Sequence, residues 1–498
     1  MIASTPASTR RTHLLFFAFV GCMPSLAPAE DTANDQATVA AHIQRVESGL
    51  LGPVAIKGQA PRRMALRDRM AALHIPGVSI AVINHGKIEW ARGYGVRDAA
   101  GKQAVATDTL FQVASISKTV SAAAILTLVQ QGKIGLDDDV NSHLLSWKLP
   151  GGADAPAPVV TVRQLLSHTG ATTVGGFTGY TSAQTVPALQ AILKGEQPAN
   201  SPRIVVEGAP GQAFRYSGGG YTVLQQMVTD VTGMSYDHFM QVRVMDQLNM
   251  RHSTFAQPLP PRWHANAASA HDKAGAVLPG KWNTYPTMAA AGMWSTPSDL
   301  ARFVLALQQA SDGKQATFLS RPMATAMLTP VRNQYGLGTM LSGKGTDQRF
   351  SHSGGNAGIR SMMVGYTNRG QGAVILTNSD NGGDLIAELL RAIAAEYQWN
   401  DYAVVEHALV PAVPALFAHY AGTFSVANRT FTVTTHDDKL FLQDESLGAQ
   451  PMELLPESDT RYFALEANLT LAFQPQADGT VDAIEVDYFG KRQATRIK

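Results

Sequence analysis

The chain has 498 residues, of which 45% are hydrophobic and 16% are charged, so it is long enough to bury a sizeable core in roughly two to four domains. Its 40 basic and 39 acidic residues give a formal charge of +1, so the chain lacks the strong positive charge expected of a nucleic-acid-binding protein. Glycine and proline are spread without a three-residue repeat, which excludes collagen and low-complexity disorder.

The first 29 residues have the pattern of an export signal. Arg10 and Arg11 precede an apolar run at 14–21 that is too short to span a bilayer as a mature helix, and residues 27–29 offer a small-x-small cleavage site. We therefore expect residues 1–29 to be removed and the mature protein to be periplasmic or secreted, with no membrane-spanning segment.

The single cysteine, Cys22, lies inside this segment. Cleavage after Ala29 leaves a mature chain without a thiol, which excludes disulfides, cysteine zinc sites and cysteine nucleophiles from it. A second interpretation takes residues 19–22 as a lipobox. In that case Cys22 becomes a lipidated first residue and anchors the protein to a membrane.

Next along the chain, residues 30–59 are mixed in character and are expected to form a loose lead-in to a domain at 60–400. The β-rich runs 78–83 and 88–91, separated by a turn, predict a hairpin. Helices are predicted at 116–131, 221–232, 297–310 and 385–397. The third has a clear start, because Thr296 suits an N-cap and Pro297 suits the first helical position.

Short β-rich runs at 335–341, 358–366 and 372–378 are joined by tight turns, which predicts antiparallel pairing. Strands therefore lie at both ends of this domain and helices lie between them. That order indicates an α+β fold, with an antiparallel sheet flanked by helices and a mainly helical subdomain.

Two prolines, Pro411 and Pro414, mark a linker at 401–414. Beyond it, residues 415–498 contain alternating runs, and Asp478-Gly479 is suited to a hairpin turn. Strands are predicted at 439–443, 462–473 and 481–489. This part of the chain is therefore predicted to be a small all-β domain, either a barrel or a sandwich.

The strongest chemical pattern is Ser115-Ile116-Ser117-Lys118, at the start of the first long helix. A serine hydroxyl is a poor nucleophile until a base takes its proton. At i,i+3 on a helix, Lys118 lies on the same face as Ser115, and burial of its amine would favour the neutral form. The helix N-terminus also brings backbone N–H groups near Ser115, where an oxyanion would form.

Two further patterns follow in the chain. Tyr216-Ser217 precedes the second long helix, and Tyr216 can pass on a proton if neighbouring positive charge lowers its pKa. His352-Ser353-Gly354-Gly355-Asn356 leads into a strand, where glycine allows a substrate backbone to approach a sheet edge. The remaining histidines show no metal-binding spacing, and His168 is interpreted as a partner of local backbone groups. We expect no metal and no cofactor.

These three patterns, in this order and spacing, resemble those of the serine β-lactamase/penicillin-binding-protein superfamily. The match is to its class C-like branch of cephalosporinases, esterases, D-aminopeptidases and DD-carboxypeptidases, and it covers about 60–400. Further stretches that resemble this branch are 76–78, 165–169, 210–211, 291–296 and 335–338. The domain at 415–498 resembles the C-terminal β-barrel-like domains that some of these hydrolases carry.

The resemblance implies a role for each residue. Ser115 is the acylated nucleophile, and Lys118 and Tyr216 activate it and return a proton to the leaving group. The backbone N–H groups of Ser115 and Gly355 form the oxyanion hole. His352, Ser353 and Gly354 form the third motif and contact the substrate, with His352 in the place of a lysine.

Two departures bear on the substrate. Gly218 stands where the second motif commonly has asparagine, and His352 is mostly neutral at pH 7 where cephalosporinases have a lysine. Both changes favour an esterase, a D-amino-acid peptidase or amidase, or a DD-carboxypeptidase-like enzyme, with a small-molecule or peptide substrate. The alternatives are a class C-like β-lactamase and a penicillin-binding protein that is acylated with slow turnover. Asn356 is a candidate to replace the missing amide, or else a turn residue.

Overall fold

A computed structural model describes residues 1–5, 7, 29–152, 158–314, 318–426, 429–444, 450–488 and 490–497. The predicted export signal and Cys22 lie almost entirely outside these residues. The chain divides into two compact units, 1–41 and 42–498, and the features below belong to the second unless stated. No helix among the described residues combines the length and apolar character needed to cross a membrane.

The helices are α1 (Ala29–Glu47), α2 (Leu66–Ala72), α3 (Ile116–Gln130), α4 (Val140–His143), α5 (Val162–Leu166), α6 (Leu189–Lys194), α7 (Gly218–Thr232), α8 (Tyr236–Met240), α9 (Pro261–His264), α10 (Met288–Ala291), α11 (Pro297–Asp312), α12 (Arg321–Met327), α13 (Gly382–Glu396) and α14 (Phe417–Tyr420). Helix α1 runs from the first unit into the second.

The strands are β1 (Leu50–Leu51), β2 (Val54–Ile56), β3 (Arg63–Met64), β4 (Gly77–Asn84), β5 (Lys87–Gly95), β6 (Phe111–Gln112), β7 (Trp294–Ser295), β8 (Met340–Ser342), β9 (Arg349–Asn356), β10 (Ile359–Tyr366), β11 (Gly372–Thr377), β12 (Val405–His407), β13 (Gly422–Val426), β14 (Arg429–His436), β15 (Lys439–Gln443), β16 (Met452–Pro456), β17 (Arg461–Phe463), β18 (Thr470–Pro475), β19 (Val481–Asp487) and β20 (Lys491–Arg496).

The main domain is built on a six-stranded antiparallel sheet in the order β5-β4-β11-β10-β9-β8. Strand β4 is buried along its whole length, as expected of a central strand that is covered on both faces. Because side chains alternate across β10, Arg360 and Gly365 face opposite ways. A Cβ added to Gly365 would lie 2.6 Å from Val304 of α11, whereas one added to Gly382 of α13 would lie 2.9 Å from the Cβ of Arg360. Helices α11 and α13 therefore cover opposite faces of the sheet.

A mainly helical subdomain packs around α3. Every residue of α3 from Ile116 to Leu128 is buried, because α10, α12 and strands β9 and β10 of the sheet pack against this apolar helix. Helix α11 begins as predicted, since the Thr296 side chain accepts a hydrogen bond from the Asp299 N–H, with Pro297 at the first helical position. These observations confirm the α+β fold.

The C-terminal domain is a closed barrel of eight antiparallel strands, β13–β20, which confirms the all-β prediction. One turn of helix, α14, enters its core. The ring of Tyr420 stacks on that of Phe473 with centroids 4.1 Å apart, and its hydroxyl donates to the backbone oxygen of Asp459 at 2.9 Å.

Four sequence-based expectations differ from the structure. Residues 30–59 are not a loose lead-in, because they hold α1 and two buried strands, β1 paired with nearby β3 and β2 paired with distant β12. The 401–414 linker contains β12, which pairs with β2, and its His407 stacks on Phe463 of the barrel at 4.7 Å. The run 462–473 is two strands separated by a turn, β17 and β18. The run 335–341 becomes a strand only at Met340, because residues 336–339 form a turn in which the Gly336 N–H donates to the Thr339 oxygen at 2.9 Å.

Candidate active site

The site is centred on the turn between β6 and α3. Ala114 has a left-handed backbone with φ of +48°, which is uncommon for a residue other than glycine, and it redirects the chain immediately before Ser115. Ser115 is half-buried while its neighbours are buried, and its hydroxyl makes no helix-capping hydrogen bond. The Ser115 hydroxyl is therefore both accessible and available for chemistry.

Lys118 lies one turn along α3, as the spacing predicts. Its Nζ is 3.1 Å from the Oγ of Ser115 and donates to the backbone oxygen of Ala290 at 2.8 Å. The side chain is buried, and burial lowers the pKa of the amine from 10.5 to about 7. A substantial fraction of the amine is therefore neutral at physiological pH, the form that can accept a proton.

Tyr216 lies on the other side of this pair, with the centre of its ring 4.9 Å from the Nζ of Lys118. Burial raises the pKa of Tyr216 to about 12, and its hydrogen bond with Ser115 only partly opposes that rise. A pKa lowered by positive charge was the condition under which Tyr216 was considered able to pass on a proton, and this condition is not met, because desolvation dominates. Tyr216 is therefore a protonated phenol at neutral pH, the form that can donate a proton.

The third motif forms the end of β9. Burial alternates along it: His352, Gly354 and Asn356 face inward, while Ser353 and Gly355 are exposed. Strand β8 pairs with β9 only as far as Ser351, so the remainder of β9 has a free edge.

Backbone groups alternate between the two edges of β9. The Ser351 oxygen points toward β8, where it accepts from the Thr339 hydroxyl at 3.0 Å. Gly355 is four residues further on, so its N–H points to the same side, the free edge.

Gly354 has a different use from the one expected. A Cβ at this position would lie 2.3 Å from the backbone oxygen of Val113 and 2.3 Å from the Oγ of Ser361. The glycine thus allows β9 to approach the turn that carries Ser115, rather than allowing a substrate to approach the strand. The hydroxyl of Ser361, on β10, also donates to the Val113 oxygen at 2.9 Å.

His352 is held by two contacts and does not extend into solvent. Its Nε2 lies 3.2 Å from the hydroxyl of Tyr335, and its Nδ1 lies 2.6 Å from the backbone oxygen of Ser353. With the imidazole proton on Nδ1, both contacts are hydrogen bonds. Burial and the nearby Lys118 lower the pKa of His352 to about 4, so the ring is neutral at pH 7.

The two positions considered for a substrate amide are both occupied by protein contacts. A Cβ at Gly218 would lie 3.1 Å from the ring of Phe177, which occupies the space beside the missing asparagine. The Asn356 amide donates to the Oε1 of Gln112 at 2.9 Å and to the Ala291 oxygen at 3.3 Å. Asn356 therefore links β9 to β6, and its N–H groups are already used.

His168 binds a backbone group, but not the local one that its interpretation predicts: its Nδ1 accepts from the N–H of Ser217 in the second motif at 3.1 Å. The sequence analysis missed two neighbours of the site. Tyr335 was noted only as part of a resemblance, and nothing indicated that it holds His352. The Ala290 oxygen, which binds Lys118, left no signal in the sequence because any residue supplies a backbone oxygen.

Comparison with known proteins agrees with this geometry. The family model described as Beta-lactamase matches residues 63–398. Penicillin-binding protein 4* of Bacillus subtilis (strain 168) is 26% identical over 448 residues, which cover 83% of this chain and 93% of that protein.

Two solved structures share the fold. The octameric penicillin-binding protein homologue from Pyrococcus abyssi has a TM-score of 0.60 at 20% identity, covering 86% of this chain and 98% of that one. EstCE1, a hydrolase with promiscuous acyltransferase activity, has a TM-score of 0.55 at 18% identity, covering 72% and 99%. With a family match over most of the chain, a shared fold and a Ser-x-x-Lys pair in hydrogen-bonding contact, the chain belongs to the beta-lactamase family of serine hydrolases.

Proposed function

We propose that this protein is an exported serine hydrolase that forms an acyl-enzyme on Ser115 and cleaves an ester or an amide. The observation that carries the proposal is the 3.1 Å contact between the Oγ of Ser115 and the Nζ of a buried Lys118. A hydroxyl in contact with a neutral amine is the activated nucleophile that acyl transfer requires.

The proposed reaction follows from the protonation states of the site. Neutral Lys118 takes the Ser115 proton as Oγ bonds to the substrate carbonyl carbon, and the resulting oxyanion accepts from the N–H groups of Ser115 and Gly355. Tyr216 then protonates the leaving oxygen or nitrogen as its bond to carbon breaks, and the Lys118 ammonium restores the Tyr216 proton. Water releases the acyl group through the same steps in reverse.

The substrate class follows from the third motif. His352 is neutral, and both of its ring nitrogens contact the protein, so it offers no fixed charge to a substrate carboxylate. This supports an esterase, a D-amino-acid peptidase or amidase, or a DD-carboxypeptidase-like enzyme over a class C-like β-lactamase.

The test begins with a parallel screen of p-nitrophenyl esters, D-aminoacyl anilides and nitrocefin. Ser115→Ala should abolish turnover of every active substrate while the thermal unfolding midpoint stays unchanged, since only a hydroxyl is removed. A slow substrate should leave one acyl group on the peptide that contains Ser115. Turnover by Ser115→Ala, or an adduct on Ser353, would overturn the assignment.

Ser117 provides the matched control. It is buried, and its hydroxyl donates to the Ala114 oxygen at 2.5 Å and accepts from the Met293 N–H at 3.0 Å. Ser117→Ala should lower stability and leave acylation of Ser115 intact. An adduct on Ser117 in the wild-type protein would show that Ser117, and not Ser115, is the nucleophile.

One relative favours a second candidate function. The matched Bacillus subtilis protein is named as a penicillin-binding protein, which supports acylation by a β-lactam with slow release. A fluorescent penicillin separates the candidates: rapid labelling of Ser115 that persists after the free label is removed supports the second candidate. Rapid ester or anilide turnover with weak labelling supports the first.

Export is a separate part of the proposal and rests on the pattern of residues 1–29. The mature protein should start at Glu30 and appear outside the cytoplasm, as read by intact mass and cell fractionation. A mature protein that carries a diacylglyceryl group on Cys22 would instead establish the lipid anchor.

A further inference from the structure

The turn after α5 places one buried histidine directly behind Tyr216. His168 has a left-handed backbone, with φ of +58°, and its side chain is buried. The Ser167 hydroxyl donates to the Arg163 oxygen at 2.8 Å and lies 2.9 Å from the Thr169 hydroxyl. Hydrogen bonds of the Ser167 hydroxyl thus hold the turn, and the imidazole ring of His168 is directed toward the second motif.

His168 contacts the chain on both sides of Tyr216. Its backbone oxygen accepts from the N–H of Arg215 at 2.8 Å, and its Nδ1 accepts from the N–H of Ser217 at 3.1 Å. Its ring faces that of Tyr216 with centroids 4.3 Å apart and an angle of 40° between the planes. A single residue therefore binds the residues before and after Tyr216 and packs against the ring between them.

The imidazole is uncharged. Because Nδ1 accepts a backbone hydrogen bond, the ring proton resides on Nε2, which is buried and has no hydrogen-bond partner. Burial, together with Lys118 and His352, keeps the pKa of His168 well below its usual range. The groups around the ring are aromatic: Phe214, Tyr216, Tyr221 and Tyr335, at centroid distances between 4.3 and 5.8 Å.

We propose that His168 is the positioning residue for Tyr216, holding its hydroxyl where it can exchange a proton with Ser115 and the leaving group. The inference rests on the proposed function, in which Tyr216 is the proton donor. His168 makes no hydrogen bond to Ser115 or Lys118 in the described structure, so it acts through Tyr216 and not on the reacting atoms.

The expected effect lies in kcat. A misplacement of about 1 Å in a catalytic group can cost about 10²-fold in rate, and His168 has no contact that would bind substrate. His168→Asn keeps an acceptor for the Ser217 N–H and tolerates the left-handed backbone, but removes the ring. His168→Gly keeps only the backbone. We expect kcat to fall by about 10-fold in His168→Asn and by about 100-fold in His168→Gly, with KM changed by less than about twofold.

His407 is the matched control, because it is also buried, has one bonded ring nitrogen and one without a partner, and stacks on an aromatic ring. It lies in the connection to the barrel. His407→Asn should lower the unfolding midpoint and leave kcat unchanged. If His168→Gly does not fold, His168→Asn alone, with a circular dichroism spectrum like that of the wild type, carries the test.

A double-mutant cycle separates positioning from general stabilisation. Tyr216→Phe should remove most of the activity, and His168→Asn should then cause little further loss, because groups that act as a unit are non-additive. If His168→Asn costs the same factor with and without the Tyr216 hydroxyl, or has no effect on kcat, the inference is wrong. Acylation of Ser115, read by mass spectrometry, tests the proposed function independently. Labelled Ser115 with an additive cycle rejects only the role of His168, whereas an unlabelled Ser115 rejects the proposed function.

Discussion

The pKa of Lys118 sets the pH dependence expected of the reaction. Burial lowers this pKa from 10.5 to about 7, so the neutral, proton-accepting fraction grows as pH rises through 7. For a single group of this pKa, that fraction is about 0.9 at pH 8, about 0.1 at pH 6 and about 0.01 at pH 5. We therefore expect kcat/KM to fall about tenfold from pH 8 to pH 6 and about 100-fold by pH 5. The downward shift disfavours the protonated amine by about 5 kcal/mol.

The assay uses a neutral ester, so that substrate ionisation does not contribute, and p-nitrophenol release is read at the isosbestic wavelength of the product. Tyr216→Phe should be slower but keep the same acid limb, because the phenol pKa of about 12 lies outside this range. Lys118→Ala should lose both the rate and the limb. The reasoning fails if wild-type kcat/KM is flat between pH 5 and pH 8, or if the limb survives in Lys118→Ala.

Three further predictions follow from contacts at the site and in the barrel. Gly354→Ala places a Cβ 2.3 Å from the Val113 oxygen, so thermal unfolding should show a loss of about 1–3 kcal/mol and ester assays a fall of about 10²-fold in kcat/KM. Gly383→Ala, with no atom within 4 Å and a position in helix α13, should leave kcat/KM unchanged and should not lower stability. Equal effects of the two changes would contradict the close approach. His352→Lys should raise kcat/KM for nitrocefin relative to a neutral ester, because it adds a positive charge that can bind a substrate carboxylate. If the wild type turns over nitrocefin far faster than any ester, and this change destroys that activity, the protein is a β-lactamase instead. Tyr420→Ala should destabilise the barrel by about 3–5 kcal/mol, as read by denaturant unfolding, because it removes a buried, stacked ring. Ser115 should still be acylated in this variant. Loss of acylation would show that the two domains are coupled.

Much of the main domain could be predicted because its signals are local. The 78–91 hairpin, α3 and the Thr296 cap each depend on residues within one or two turns of each other. The pairing of β2 with β12 could not be predicted, because it joins residues about 350 apart and parallel pairing leaves no turn signature. Closure of the barrel through β13 and β20 could not be predicted either, because these antiparallel strands pair residues 424 and 496, which no turn joins directly.

In the site, too, local contacts could be predicted from the sequence and distant ones could not. The contact between Ser115 and Lys118 follows from helical spacing alone, and the structure confirms that proximity. Tyr216 and His352 were assigned to the site by the family resemblance, since no local rule joins positions 101 and 237 residues beyond Ser115. The raised pKa of Tyr216 could not be predicted, because sequence does not reveal how strongly a side chain is desolvated.

The two departures from the family pattern have a common physical consequence. At Gly218 the ring of Phe177 lies beside the position where an amide would project, and at His352 the hydroxyl of Tyr335 contacts the nitrogen that faces it. A polar amide and a fixed positive charge are thus replaced by an apolar surface and a neutral imidazole. The charge of the site then depends chiefly on Lys118, which becomes neutral in the same pH range in which it can act as a base. We therefore expect the titration proposed to activate Ser115 also to favour a neutral ester or amide, because a substrate that is uncharged near its scissile bond would meet a site that loses its charge as it becomes active.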